Sequence, residues 1–174
     1  MDPSIGQMEF VDLFSPAFLE MAGRLLLAMV FGMVLGIDRE AQDKPAGMRS
    51  HMLIALAAAS LTEMTFAIVD ASDRFGDTVH TDPLRVIEAV VAGIAFLGAG
   101  AIIQGRGQVT GITTGASMWV AGAIGIASGL GYYALATATT LFAIIVLYIL
   151  GKLEGRMKSD KPSNEPVKPG SHRN

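Results

Sequence analysis

The sequence predicts an all-α fold: a polytopic membrane helical bundle of about five transmembrane helices, N-terminus outside and C-terminus inside. Three observations lead there. Apolar residues make up 51% of the 174-residue chain and charged residues 17%, too apolar a balance for a soluble domain of that length. The apolar residues gather into runs close to the ~20 residues that a helix needs to cross the hydrocarbon core. The basic residues crowd one set of connecting loops and the C-terminal tail.

The first run, 16–37, opens on Ser15 and Pro16, a capping hydroxyl followed by the residue whose fixed φ suits the first helical position. The second covers 51–69. The third, 84–103, repeats the same start with Asp82 and Pro83. The fourth, 113–129, is short and rich in glycine, and Gly129-Leu130-Gly131 separates it from the fifth, 132–151. Three regions result: an acidic external N-terminus over 1–15, a transmembrane domain over 16–152 and a basic cytoplasmic tail over 153–174. The tail is polar and contains proline and serine, which predicts disorder. No cleavable signal is expected, because Asp2, Glu9 and Asp12 stand where a signal peptide would be basic.

Charge sets the orientation. With the tail inside, the inner side holds Arg39, Lys44 and Arg49 between the first two helices, Arg106 between the third and fourth, and Lys152, Arg156, Lys158, Lys161, Lys168 and Arg173. The outer side then holds Arg74 and Arg85 alone, as the positive-inside rule requires.

Within the third run, VIEAVVAGIAFLGAGAII, the glycines could be read as a phosphate cradle or as a packing surface. They lie inside a span and no G-x-G-x-x-G is present, so Gly93, Gly98 and Gly100 are expected to flatten one helix surface for close approach of another backbone. Gly32 with Gly36, and Gly125 with Gly129, have the same small-xxx-small spacing.

Ionisable residues inside a span cost about 2.5–3.5 kcal/mol each on insertion scales. At 1.5 Å per residue, Arg24 lies about 12 Å past Pro16, Glu63 about 10 Å from Asp70 and Glu88 about 9 Å past Asp82. The shared depth predicts a polar cluster of Arg24, Glu63 and Glu88 facing the bundle interior from the outer side, with Glu63 and Glu88 as candidate metal ligands. The simpler alternatives are carboxylates that reach the outer interface, or a structural ion pair of Arg24 with a glutamate, including Glu20 one turn earlier. A second group, GIDREAQDKPAGMRSH (36–51) with Thr113 and Thr114, gathers charges and oxygens at the inner helix ends, where it could bind a cation or an anionic partner or simply be a capped, solvated loop.

No catalytic set is present, so an enzyme is not expected. The chain has no cysteine, His51 and His80 fall on opposite sides of the membrane, and no serine or threonine has a nearby histidine as base. Nucleic acid is not an expected partner, because the basic tail is short and free of aromatics.

Three strings together resemble the MgtC/SapB family of bacterial membrane proteins: GIDRE…PAGMRSHMLI (36–54), DPLRVIEAVVAGIAFLGAGAII (82–103) and TGITTGASMWVAGAIGIASGLGYY (110–133). Matching motif positions include Arg39, Glu40, Arg49, Asp82, Arg85, Gly93, Gly98, Gly100, Thr113 and Thr114, whereas Glu63 belongs to no family motif. Ser50, Ala95 and Gly115 depart from the residues frequent in the family. The resemblance implies a multi-pass protein of the bacterial inner membrane, linked to magnesium homeostasis and stress survival, here expected without the cytoplasmic domain some members append. Two functions follow as expectations. One is a regulatory or accessory protein that meets the lipid bilayer and docks other membrane proteins or itself. The other is a transporter or channel subunit for Mg²⁺ or another cation, against which the lack of an inverted repeat or Pro-broken helix weighs. No resident cofactor is expected; Mg²⁺ is the ion the carboxylates would take, partly hydrated.

Overall fold

Five helices and one small hairpin follow one another along the chain: α1 (Pro16–Ala41), α2 (Met48–Asp73), α3 (Pro83–Gly100), β1 (Ile103–Gly105), β2 (Gln108–Thr110), α4 (Ile112–Gly129) and α5 (Tyr133–Ile145). The computed structural model describes residues 15–73, 82–105 and 108–152. The expectations for the acidic N-terminus, the connector 74–81, Arg106 and the tail 153–174 lie outside these residues.

The start signals act as the sequence predicts. Ser15 Oγ accepts from Phe18 N at 3.2 Å, and Asp82 Oδ1 accepts from Leu84 N at 3.0 Å, each ahead of a first-position proline. Two helix ends close with the same motif. After α4, Tyr132 N donates to Ala127 O at 2.8 Å and Gly131 N to Ser128 O at 3.0 Å, with Gly131 at φ 75°. After α1, Lys44 N donates to Arg39 O at 3.0 Å and Asp43 N to Glu40 O at 3.1 Å, with Asp43 in the left-handed position at φ 51°. The end of α3 differs from the expected 103: the helix stops at Gly100, and Ile103 pairs with Thr110 in the antiparallel hairpin. Gly111 follows at φ 88°, where a Cβ would strike the Ala101 carbonyl.

The helix α4 is the hub. It packs on α1, α2, α3 and α5, and buries Thr114, Gly115, Ser117, Met118, Ala121, Gly122, Ile124, Gly125, Ala127, Ser128 and Gly129. Its small residues are what the central position demands. A Cβ on Gly125 would meet the backbone of Ala55, and one on Gly129 would lie 2.8 Å from Ala59 O. Hydroxyls inside the bundle are satisfied within their own helices: Thr62 donates to Ala58 O, Ser128 to Ile124 O and Thr140 to Ala136 O, each at 2.8 Å.

Large apolar side chains lie on the outside. Leu19, Leu26, Leu53, Phe96, Leu135, Phe142, Ile145 and Val146 are exposed while the interior is built largely from alanine, glycine and small hydroxyls. This inside-out distribution suits a hydrocarbon surround. Three helices are long and apolar enough to cross a bilayer, α1, α2 up to Asp70, and α3. The fifth, α5, is shorter and runs into a π-helical turn over Val146–Leu150. The molecule is an all-α membrane bundle.

Candidate functional site

Polar side chains collect at two levels of the bundle, one near the Ser15 end of α1 and one near its Gln42 end. At the first, Arg24 of α1 donates from Nη1 to Glu63 Oε1 of α2 at 3.1 Å and to the Gly129 carbonyl of α4, also at 3.1 Å. Its Nη2 donates to Glu20 Oε1 at 2.5 Å one turn back along α1. Gly131 lies beside the guanidinium, where a Cβ would make ordinary contact at 3.5 Å from Arg24 Cζ, and its φ of +75° is what favours glycine. Arg24 and Glu63 are part-buried, with side-chain exposures of 25% and 20%, while Glu20 is exposed at 62%. One cation thus meets two carboxylates and a carbonyl, so the charge that would be costly in a span is neutralised in place.

Glu88 does not join them. The helix α3 buries Val90, Ile94 and Gly98 against its neighbours, and Glu88 is turned roughly 120° away from the centre of that stripe. The direction of Glu88 around α3 differs from the expectation. Glu63 is engaged by Arg24 while Glu88 is exposed on α3, and no group of three or more potential metal-binding side chains occurs among the described residues. Of the three glycines on α3, Gly98 packs, with its added Cβ 3.3 Å from Gly115 O. Gly93 and Gly100 are exposed and meet nothing within 4 Å among the described residues, so they are not packing positions between this chain's own helices.

At the Gln42 end the polar groups are more deeply buried. Arg39 is 3% exposed; its Nε donates to Asp38 Oδ2 at 3.1 Å and its Nη2 to the same oxygen, which also accepts from Gln42 Nε2 at 2.8 Å. Glu40 reaches across the connecting loop, where its Oε2 accepts from Met48 N at 3.0 Å and so caps α2 against Gly47. A carboxylate on the free N–H groups of a helix start is favourable both as hydrogen-bond acceptor and as counter-charge. Thr114 is buried, whereas Thr113, Arg49, Asp82 and Arg85 are exposed.

The expectation that no serine or threonine has a nearby histidine does not hold at this end, because the packing of α2 on α4 brings His51 to Ser117. His51, fully buried, points Nδ1 at Gly47 O at 2.8 Å and Nε2 at Ser117 Oγ of α4 at 2.9 Å. A carbonyl can only accept, so Nδ1 carries a proton. Ser117 Oγ also lies 2.8 Å from Thr114 O. With the imidazole neutral, the hydroxyl proton goes to Nε2; with both nitrogens protonated, it goes to Thr114 O. The arrangement accepts either state without moving a heavy atom, joins α2 to α4, and sits beside a groove of about 390 Å³ lined by Leu35, Val120, Phe142 and Val146. The available signal was the i, i+3 placement of Thr114 and Ser117 on one face of α4.

Between the two levels, about 18 Å apart along α2 on the helical rise, the interior is closed. Ala28, Ala55, Ala59 and Ile124 are fully buried there, and a Cβ on Gly32 would lie 2.5 Å from the His51 carbonyl.

Comparison with known proteins agrees with this architecture. The MgtC family profile matches residues 25–156. An uncharacterized Haemophilus influenzae protein is 35% identical over 76% of this chain and 56% of its own length. SapB of Bacillus subtilis is 31% identical over 83% of this chain and 62% of its own. YhiD of Escherichia coli K12, named there as a proposed magnesium transporter, is 34% identical over 77% of this chain and 62% of its own. The chain therefore spans 56% to 62% of the length of these three relatives. No solved structure matches it.

Proposed function

The chain belongs to the MgtC family, and we propose that it serves the bacterial inner membrane as a regulatory or accessory protein of magnesium homeostasis, with the Gln42 end in the cytoplasm. The magnesium link draws on the name of the Escherichia coli relative. The sidedness draws on Arg39, Lys44, Arg49 and Lys152, which lie toward the Gln42 end, as a cytoplasmic face favours. The observation that carries the regulatory reading is the closed layer of alanine, glycine and Ile124 between the two polar levels. The buried hydroxyls at and beside that layer, Thr62, Ser128 and Thr140, are each committed to a carbonyl of their own helix, and the carboxylate at its outer edge is already held by Arg24.

Under this reading the working surface is the cytoplasmic end, where Arg39 and Asp38 hold the end of α1 and Glu40 spans the loop that a partner would meet. The test is growth at limiting magnesium of a bacterial strain lacking its own relative. Wild-type chain restores growth, and Arg39→Gln, present in the membrane in equal amount, does not. Equal rescue by Arg39→Gln would overturn the assignment of the cytoplasmic end.

A further inference from the structure

The exposed surface of α3 carries Leu84 and Phe96 and, between them, a stripe unlike the other lipid-facing surfaces of the bundle. On α5 the exposed positions include Leu135, Leu141, Phe142, Ile145 and Val146, side chains suited to acyl chains. On α3, Arg85, Glu88, Ala92, Ala95 and Ala99 are all exposed. They follow one another at intervals of three, four, three and four residues, the a/d repeat of a coiled-coil seam. Three of the five are alanines, which let a second backbone approach closely. The other two are opposite charges inside a candidate span, and neither has an ion-pair partner among the described residues.

We propose that this seam pairs with the same seam of a second copy of the chain, about a twofold axis along the membrane normal. The two α3 helices then run parallel. Arg85 and Glu88 are offset by about 4.5 Å along the axis, so each Arg85 reaches the Glu88 of the other copy and two ion pairs form at once. A twofold interface requires such self-complementarity, and a cation and an anion one turn apart on the same face supply it. The pairing also removes the cost of two carboxylates turned toward lipid. It concerns assembly and holds whether or not the bundle regulates a partner.

The chain has no cysteine, so a single introduced one reports on its own position. Full-length Ala92→Cys and Ala99→Cys, oxidised in native membranes, are expected to form disulfide-linked dimers of twice the 18.3 kDa chain mass, while Leu135→Cys on α5 stays monomeric. In the Ala92→Cys background, Arg85→Glu or Glu88→Arg alone places like charges across the seam. Each lowers the crosslinked fraction of membrane-inserted chain by about tenfold, and the double exchange restores it, tenfold corresponding to about 1.4 kcal/mol. Monomer throughout, linkage to a protein of different mass, or a double exchange that fails to rescue would overturn the proposal.

Discussion

Arg24 and Glu63, 39 residues apart in sequence, meet at 3.1 Å and, with the Gly129 carbonyl, tie α1, α2 and α4 together at one depth. The same guanidinium also holds Glu20 on its own helix. The two carboxylates differ in exposure, and that difference sorts their contributions.

Glu63→Gln leaves a part-buried guanidinium short of its interhelical counter-charge and is expected to cost about 1–3 kcal/mol of stability. Glu20→Gln removes an exposed i, i+4 partner and is expected to cost at most about 0.5 kcal/mol. Thermal unfolding of the detergent-solubilised chain measures both; a larger loss for Glu20→Gln would mean that the helix-to-helix pair is not the stabilising one.

The His51–Ser117 bond is the polar counterpart at the Gln42 end. Ser117→Ala leaves the buried Nε2 without a partner and is expected to lower stability by about 1–3 kcal/mol. Thr137→Ala removes a hydroxyl that is exposed and bonded only within α5, and is expected to change stability by less than about 0.5 kcal/mol. The same unfolding assay separates them, and equal effects would contradict the bridge.

These residues also mark where sequence reading reached and where it stopped. Helix starts at Ser15–Pro16 and Asp82–Pro83 were legible because capping chemistry is local. The meeting of Arg24 with Glu63 was legible because depth is a count of residues from a helix end. Glu88 passed the same depth test and failed, since depth fixes height and not which way a side chain points; that is set by the buried stripe Val90, Ile94 and Gly98. His51 with Ser117 was out of reach, because 66 residues separate them and only the packing of α2 on α4 brings them together. The glycine-rich composition of α4, a short run in the sequence, is the signature of a helix packed against four others.

Two glycine substitutions test that packing. Gly125→Ala drives a Cβ against the Ala55 backbone and to 2.9 Å from Ala58 Cβ, and is expected to destabilise by about 1–3 kcal/mol. Gly93→Ala meets open space and is expected to stabilise by about 0.5–1 kcal/mol through helix propensity. Unfolding midpoints that move in the same direction would contradict the assignment of these two positions.

Asp43 occupies the left-handed closing position of α1 that glycine favours. Asp43→Gly is expected to raise stability by about 1 kcal/mol while leaving the capping hydrogen bonds to Arg39 and Glu40 in place. A lower unfolding midpoint would show that the Asp43 side chain contributes more than its backbone strain costs.

The most direct test of the closed bundle is magnesium entry into vesicles. Purified full-length chain is reconstituted into liposomes holding a magnesium-sensitive dye, and an inward gradient of Mg²⁺ is applied. The sealed layer between Arg24 and His51 predicts uptake no faster than in protein-free vesicles, whereas uptake above that background would contradict it.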